Sequence, residues 1–198
     1  PMIEKQSERM KILINELLNL SSIEKSVKTP PTDTIDILDV LEITEQQLEW
    51  NLNESSNKIV KKIGKNIPSI IGDFQQINQI FHNLLSNAIK YGTPNTEISI
   101  QVQVIKDFPK SYFQGLDVHK ALAISFSDKG FGIEPEYIDR LTERFFRIDK
   151  SRSRKIGGTG LGLAIVKQAL VRHNAYLKIE STLNKGSTFT VFFPVQEH

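Results

Sequence analysis

The sequence contains no cysteine, so disulfides and thiolate metal sites are excluded and a reducing compartment is compatible. It has no run of about 18 apolar residues, the length at which a helix begins to span a bilayer. No signal peptide precedes the first periodic segment. Charge of one sign is also missing: 25 basic against 23 acidic residues leave a net charge of +2, which by itself points to neither nucleic acid nor a membrane surface. Aromatics are few, at 8% with one tryptophan, but 39% hydrophobic residues over 198 positions suffice for one full domain with a smaller appendage. The chain opens on Pro1 and enters a helical pattern at once, as expected of a piece excised from a longer protein.

Residues 3 to 24 carry Met10, Leu13, Ile14, Leu17, Leu18 and Leu20 or Ser21 at spacings of three and four, the stripe of one amphipathic helix. Such a helix needs a partner. That partner is either its own domain or another helix along a dimer seam. Thr29-Pro30-Pro31-Thr32-Asp33 punctuates the chain and marks a linker or boundary. A second helix is expected over about 37 to 53, with short strands near 58–62 and 68–71. The strongest helical segment runs from Phe74 to Tyr91, ended by Gly92 and Pro94. Alternation predicts strands around 98–104 and 121–127, joined by a long connection from Lys106 to Lys120. After a loop-rich stretch, 161–173 reads as helix. Strands at 176–181 and 187–193 close the chain, with Asn184-Lys185-Gly186 as their turn. Mixed order without strict alternation favours an α+β or α/β sandwich over a doubly wound sheet.

Four stretches could carry chemistry. On the helix from Phe74, Asn83, Asn87, Lys90 and Tyr91 form a polar stripe. An amide oxygen can ligate Mg²⁺ and a lysine can meet phosphate, although a solvated helix face has the same pattern. Asp128-Lys129-Gly130-Phe131-Gly132-Ile133 follows a strand. A carboxylate there can accept from an exocyclic amine while the glycines allow close backbone approach, and a plain glycine turn would look alike. Gly157-Gly158-Thr159-Gly160-Leu161-Gly162-Leu163 runs straight into an apolar helix, which suits a phosphate cradle better than a flexible linker. It is not the GxxxxGK[ST] loop and lacks the strand-first setting of a dinucleotide fold. Between the glycine motifs lie Arg144, Arg147, Lys150, Arg152, Arg154 and Lys155 around Phe145 and Phe146. They form either a lid over a polyphosphate or a nucleic-acid patch.

Taken together, in this order and spacing, the four stretches resemble the catalytic domain of sensor histidine kinases, in the superfamily shared with gyrase, heat-shock chaperone ATPases and mismatch-repair ATPases. Asn83 to Tyr91 looks like the N box, Asp128 to Ile133 the first glycine box, Glu143 to Asp149 the F box, and Gly157 to Leu163 the second glycine box. Arg140 to Lys167 resembles most the phosphate-sensor branch. The resemblance implies a Bergerat-type fold, a mixed sheet covered on one face by helices and preceded by a single helix. It implies ATP and Mg²⁺ as cofactors, with Asn87 on the metal, Asn83, Lys90 and Arg147 as catalytic groups near the phosphates, and Tyr91 against the nucleoside. Asp128 would read the adenine amine beside Gly130, Gly132 and Ile133; Thr159, Gly160, Leu161, Gly162 and Leu163 would hold the phosphates. Hydrolysing members place a glutamate where Asn83 stands, and an amide cannot take a proton from water near neutral pH.

Residues 6–24 resemble the second helix of a dimerisation and phosphoacceptor hairpin, which divides the chain into 1–28 and 29–198. Of His82, His119, His173 and His198, none stands in an acceptor motif, so the acceptor is expected elsewhere in the parent. The implied partners are the phosphoacceptor helix within a homodimer and a downstream response regulator, with no nucleic acid and no membrane contact by this segment. The implied setting is a cytoplasmic domain of an inner-membrane sensor. Two departures stand out: Thr142 occupies a position where an aromatic often opens the F box, and His173-Asn174-Ala175 replaces a common His-x-Gly turn.

Overall fold

A computed structural model describes residues 2–26, 29–113, 115–148 and 158–195. Helix α1 spans Met2–Ser26. Strand β1, Asp33–Ile35, leads into α2, Ile37–Gln47, and α3, Glu49–Ser55. Strands β2, Lys58–Ile63, and β3, Ile70–Gly72, precede α4, Phe74–Tyr91. Next come β4, Glu97–Ile105, and β5, Ala121–Ser127, then the short α5, Pro135–Ile138. Helix α6, Gly162–Arg172, and the hairpin of β6, Tyr176–Thr182, with β7, Gly186–Pro194, complete the chain.

Five strands form one mixed sheet in the order β2-β4-β5-β7-β6, with β2 parallel to β4 and the other pairs antiparallel. The register aligns apolar rows across it: Ile100 with Phe126, Phe189 and Ile179, and Val102 with Ile124, Val191 and Leu177. Because strand side chains alternate, these rows share one face, and they belong to the core that α2, α4 and α6 also enter. Helix α4 buries Ile77, Ile80, Phe81, Leu84, Leu85, Ala88 and Ile89, a full apolar arc. This is the expected sandwich, with helices on one face of a mixed sheet.

One feature differs from the sequence expectation, and two expected segments take places the sequence did not specify. The helix expected over 37–53 breaks at Leu48, whose side chain stays in the core while α3 turns away and leaves Trp50 69% exposed. The strand expected at 68–71 joins not the main sheet but β1, in a separate antiparallel pair. The connection over 106–120 folds over the outer sheet face: Phe113 is buried with Ala121, Ala123 and Phe192, and Tyr112 stacks on Tyr176 at 3.8 Å. Beside this cluster the outer face carries hydroxyl pairs, Ser125 with Thr190 and Ser127 with Thr188, each at 2.9 Å.

The ends of α4 and α6 are tied by one polar cluster. Asp73 caps α4 by accepting from the Gln76 N–H at 3.1 Å and pairs with Arg172 Nη1 at 2.8 Å. The Asp73 N–H donates to His173 Nε2 at 2.9 Å, while His173 Nδ1 lies 2.7 Å from the Ala169 carbonyl. His173 is therefore the neutral tautomer with its proton on Nδ1. Burial lowers its pKa, opposed by the Ala169 carbonyl. The folded pKa lies below the unfolded one, so its contribution is complete above about pH 6.5 and is lost as pH falls from there towards the depressed value. The urea midpoint should drop between pH 7.5 and 5.5, and His173→Gln should remove part of that drop. An unchanged pH slope in the variant would rule out this role. The His-x-Gly departure is harmless because the left-handed residue of the turn is Asn174, at φ 49°, not Ala175.

Candidate functional site

The four motifs meet along one side of α4. At its C-terminal end, β5 delivers Asp128, and the loop that follows passes so near that a Cβ on Gly130 would lie 2.1 Å from the Tyr91 carbonyl oxygen. Thr93 Oγ1 holds the same loop by donating to the Lys129 carbonyl at 2.7 Å. About two turns earlier on α4, Asn83 Oδ1 lies 3.1 Å from where a Cβ on Gly162 would stand. The same position on Gly158 is 3.5 Å from Tyr91 Oη and 3.9 Å from Arg147 Nη2. Residues of the N box and both glycine boxes, with Arg147 of the F box, thus surround one cleft. Gly157 and residues 149–156 of the basic stretch, including Lys150, Arg152, Arg154 and Lys155, lie outside the described residues.

The first glycine loop is held by its own carboxylate. Asp128 Oδ1 accepts from the Gly130 N–H at 2.7 Å. Burial pushes the Asp128 carboxyl above the usual carboxylate range, opposed by backbone N–H groups, Gly130 first. The loop is also clamped from below by the β6–β7 hairpin. Phe131 O accepts from Asn184 N–H at 2.6 Å, Ile133 N–H donates to Ser181 Oγ at 2.8 Å, and Asp128 N–H donates to Ser187 O at 2.9 Å. A Cβ on Gly186 would stand 2.0 Å from the Asp128 carbonyl oxygen. The residues at 184–186 signal only a hairpin turn, not that this turn carries the loop at 128–133, and nothing in the sequence singles out Ser181 or Thr93.

The second glycine motif reaches α6 without a side-chain cap. Leu161 is the N-cap residue and its side chain makes no capping bond, so the first turn of α6 is not capped by its own N-cap residue. Thr159 Oγ1 is 3.3 Å from the Leu161 N–H. The Leu161 side chain is wholly in the core and that of Leu163 packs against it. Asn87 is half-buried and Lys90 exposed on the same stripe as Asn83.

Three polar atoms fit an anionic ligand. Asn83 Nδ2 and Arg147 Nε and Nη2 are buried with no hydrogen-bond partner. Such atoms are costly unless a ligand satisfies them. All are donors, and they sit beside the glycine cradle and the uncapped helix start. A polyphosphate would supply the acceptors these donors lack.

Comparison with known proteins agrees with the geometry. Residues 72–197 match the family described as histidine kinase-, DNA gyrase B-, and HSP90-like ATPase. The phosphate regulon sensor protein PhoR of Pseudomonas aeruginosa is 35% identical over 191 residues, covering 96% of this chain and 40% of that protein. The chain therefore spans less than half the length of such relatives. Among solved structures, the Acinetobacter baumannii histidine kinase AdeS has a TM-score of 0.74 at 21% identity, covering 99% of this chain and 83% of that one. Full-length ShkA in complex with AMPPNP has a TM-score of 0.76 at 19% identity, covering 98% of this chain and 38% of that one. At these identities the two structures speak for the fold. With the matched family model spanning the N box, both glycine boxes and the lid, the chain belongs to the histidine kinase-, DNA gyrase B- and HSP90-like ATPase family, as a histidine kinase ATP-binding domain.

Proposed function

We propose that this chain binds Mg-ATP and presents its γ-phosphoryl group to a histidine on a separate helix, with residues 1–28 as the second helix of a dimerisation and phosphoacceptor hairpin and 29–198 as the catalytic domain. The observation that carries the reading is the set of buried, unpartnered donors on Asn83 and Arg147 beside the glycine cradle. Asp128 accepts from the adenine amine, with Gly130 and Gly132 admitting the ring and Ile133 and Tyr91 flanking it. Thr159, Gly160, Leu161, Gly162 and Leu163 offer backbone to the phosphates, and Lys90 and Arg147 supply positive charge. No cluster of three or more His, Cys, Asp or Glu side chains suited to a metal occurs among the described residues. By the N-box resemblance, Mg²⁺ would rest on the Asn87 amide oxygen and the phosphates of its nucleotide, where it neutralises charge.

The transfer forms a bond from an imidazole nitrogen to the γ-phosphorus and breaks the bond to the β–γ bridging oxygen. ADP leaves with that electron pair, and the imidazole proton passes to solvent. Asn83 cannot deprotonate water, so the cleft is suited to hold ATP for an incoming histidine. Helix α1 supports the dimer part of the reading. Its C-terminal end is anchored by Leu20 and Ile23, but Met10, Ile12, Ile14, Leu17 and Leu18 are all exposed, with Leu18 at 65%. Its own domain does not cover the stripe, and a second hairpin helix and a second copy would. A response regulator would take the phosphoryl group onward. No helix among the described residues is long and apolar enough to cross a membrane.

Incubated with labelled Mg-ATP, the chain alone should bind nucleotide, gain no acid-labile phosphate and release phosphate slowly. Both ring nitrogens of His173 are engaged, and His82 is half-buried, with burial and Lys90 lowering its pKa. Added to a dimerisation hairpin that carries an acceptor histidine, the chain should label the hairpin. Rapid hydrolysis by the chain alone would instead make it an ATPase.

A further inference from the structure

The lid and the phosphate cradle meet at one backbone contact. The Phe145 N–H donates to the Gly160 carbonyl at 2.9 Å. Phe145 has φ 62°, a left-handed value that crowds a side chain against its own backbone. The residue is 55% exposed, so core burial does not compensate. Gly160 has φ 80°, and a Cβ there would lie 2.9 Å from both Cα and C of Phe145. Two residues beyond Phe145 stands Arg147, with its unpartnered nitrogens; two beyond Gly160 stands Gly162, against Asn83. The register of Phe145 on Gly160 thus sets the spacing between the lid's cation and the cradle.

The residue before this contact reaches out of the catalytic domain. Arg144 Nη2 donates to Glu24 Oε1 on α1, an ion pair across 120 positions of sequence. Glu24 sits on the fixed end of its helix: Leu20 and Ile23 are buried in the core, α1 packs along α6, and the Thr29 carbonyl accepts from Arg172 Nε at 3.1 Å. The exposed stripe of α1 lies on the other side of this anchor, towards its N-terminus. Neither Glu24 nor Arg144 is among the residues assigned to the nucleotide.

We propose that Glu24, through Arg144, is a positioning residue that holds Phe145 on Gly160, so that the placement of α1 sets the affinity of the cradle for a nucleoside polyphosphate. The inference rests on the ATP-binding reading. A turn or shift of α1 that parts the pair removes the outer support of a strained residue, and Phe145 leaves Gly160. The pair is partly exposed, so its effect is modest: interactions of this kind are worth about 0.2–1 kcal/mol, a change of up to about fivefold.

The test is calorimetric titration of the 198-residue chain and of Glu24→Lys, Arg144→Glu and the double exchange with a non-hydrolysable Mg-ATP analogue and with adenosine. Simple Coulomb attraction predicts that Glu24→Lys, which brings positive charge towards the phosphates, tightens the analogue. Positioning predicts the opposite: each single exchange weakens it about two- to fivefold, the double exchange recovers most of the loss, and adenosine affinity and thermal unfolding stay unchanged. Glu24→Lys that tightens the analogue or leaves it unaltered would overturn the positioning role, as would a double exchange that recovers nothing. Failure of the wild-type chain to bind any adenine nucleotide would overturn the ATP reading itself.

Discussion

Asp128→Asn should reduce nucleotide affinity by about a hundredfold or more while leaving the ligand-free fold intact. Oδ1 of this carboxylate accepts from the Gly130 N–H, and the remaining lone pairs are what an adenine amine would meet. An asparagine that keeps its oxygen on Gly130 turns its NH₂ towards that amine, so two donors face each other. A charged hydrogen bond worth about 1.5–3 kcal/mol is lost and an unsatisfied donor is added, at about 1–3 kcal/mol. The fold is not expected to suffer, because burial already disfavours the charge, which is why the Asp128 pKa is raised. The same shift gives a pH signature. Protonation replaces an acceptor with a donor, so wild-type affinity should fall on acidification at a higher pH than for an ordinary aspartate. Titration with an ATP analogue over a pH series, with thermal unfolding of the empty variant alongside, reads both effects. Near-wild-type affinity in the variant would remove Asp128 from the adenine site.

Gly132→Ala should be among the most destabilising single substitutions in the chain. Gly132 has φ 68°, where a Cβ would stand 2.1 Å from the Thr182 carbonyl oxygen and 2.6 Å from its carbon. The left-handed backbone costs a side chain about 1–2 kcal/mol, and the overlap is with backbone of β6, which cannot rotate aside. Parting the two segments would also strain the bonds from Asn184 N–H to Phe131 O and from Ile133 N–H to Ser181 Oγ. A loss of about 3 kcal/mol or more corresponds to a fall in Tm of at least about 6–10 °C for a domain of this size. Gly115→Ala is the control: φ is 81° there as well, but nothing lies within 4 Å, so only the backbone cost applies. Equal Tm shifts for the two variants would show that the clamp on the first glycine loop is not rigid.

These two residues also show how far the amino-acid sequence reaches. The α4 helix was legible to the residue, from Phe74 to Tyr91, because its apolar arc is long and its stops, Gly92 and Pro94, are strong local signals. Strand β5 was equally plain, at Ala121–Ser127. The cleft residues Asn83, Asp128, Arg147 and Gly162 were legible as motifs, since their residue types and order repeat a family's pattern. Short elements were not. Strand β1 has a single buried residue, Ile35, and exists because β3, about 35 positions on, pairs with it.

The order and spacing of the four motifs, and with them the family, the sequence determined by itself, because backbone chemistry at glycine and asparagine is local. Only the tertiary structure decided what holds that chemistry in place. The loop at 128–133 is positioned by a hairpin about fifty residues later, through carbonyl and hydroxyl contacts that leave no periodic trace. Helix α1 was read as one stripe, yet Leu20 and Ile23 anchor its end and Leu13 packs on the core, while Met10, Ile14, Leu17 and Leu18 stay exposed. Periodicity reports that a face is apolar, but which part of that face is covered depends on how α1 packs against α6, a contact between segments far apart in the chain.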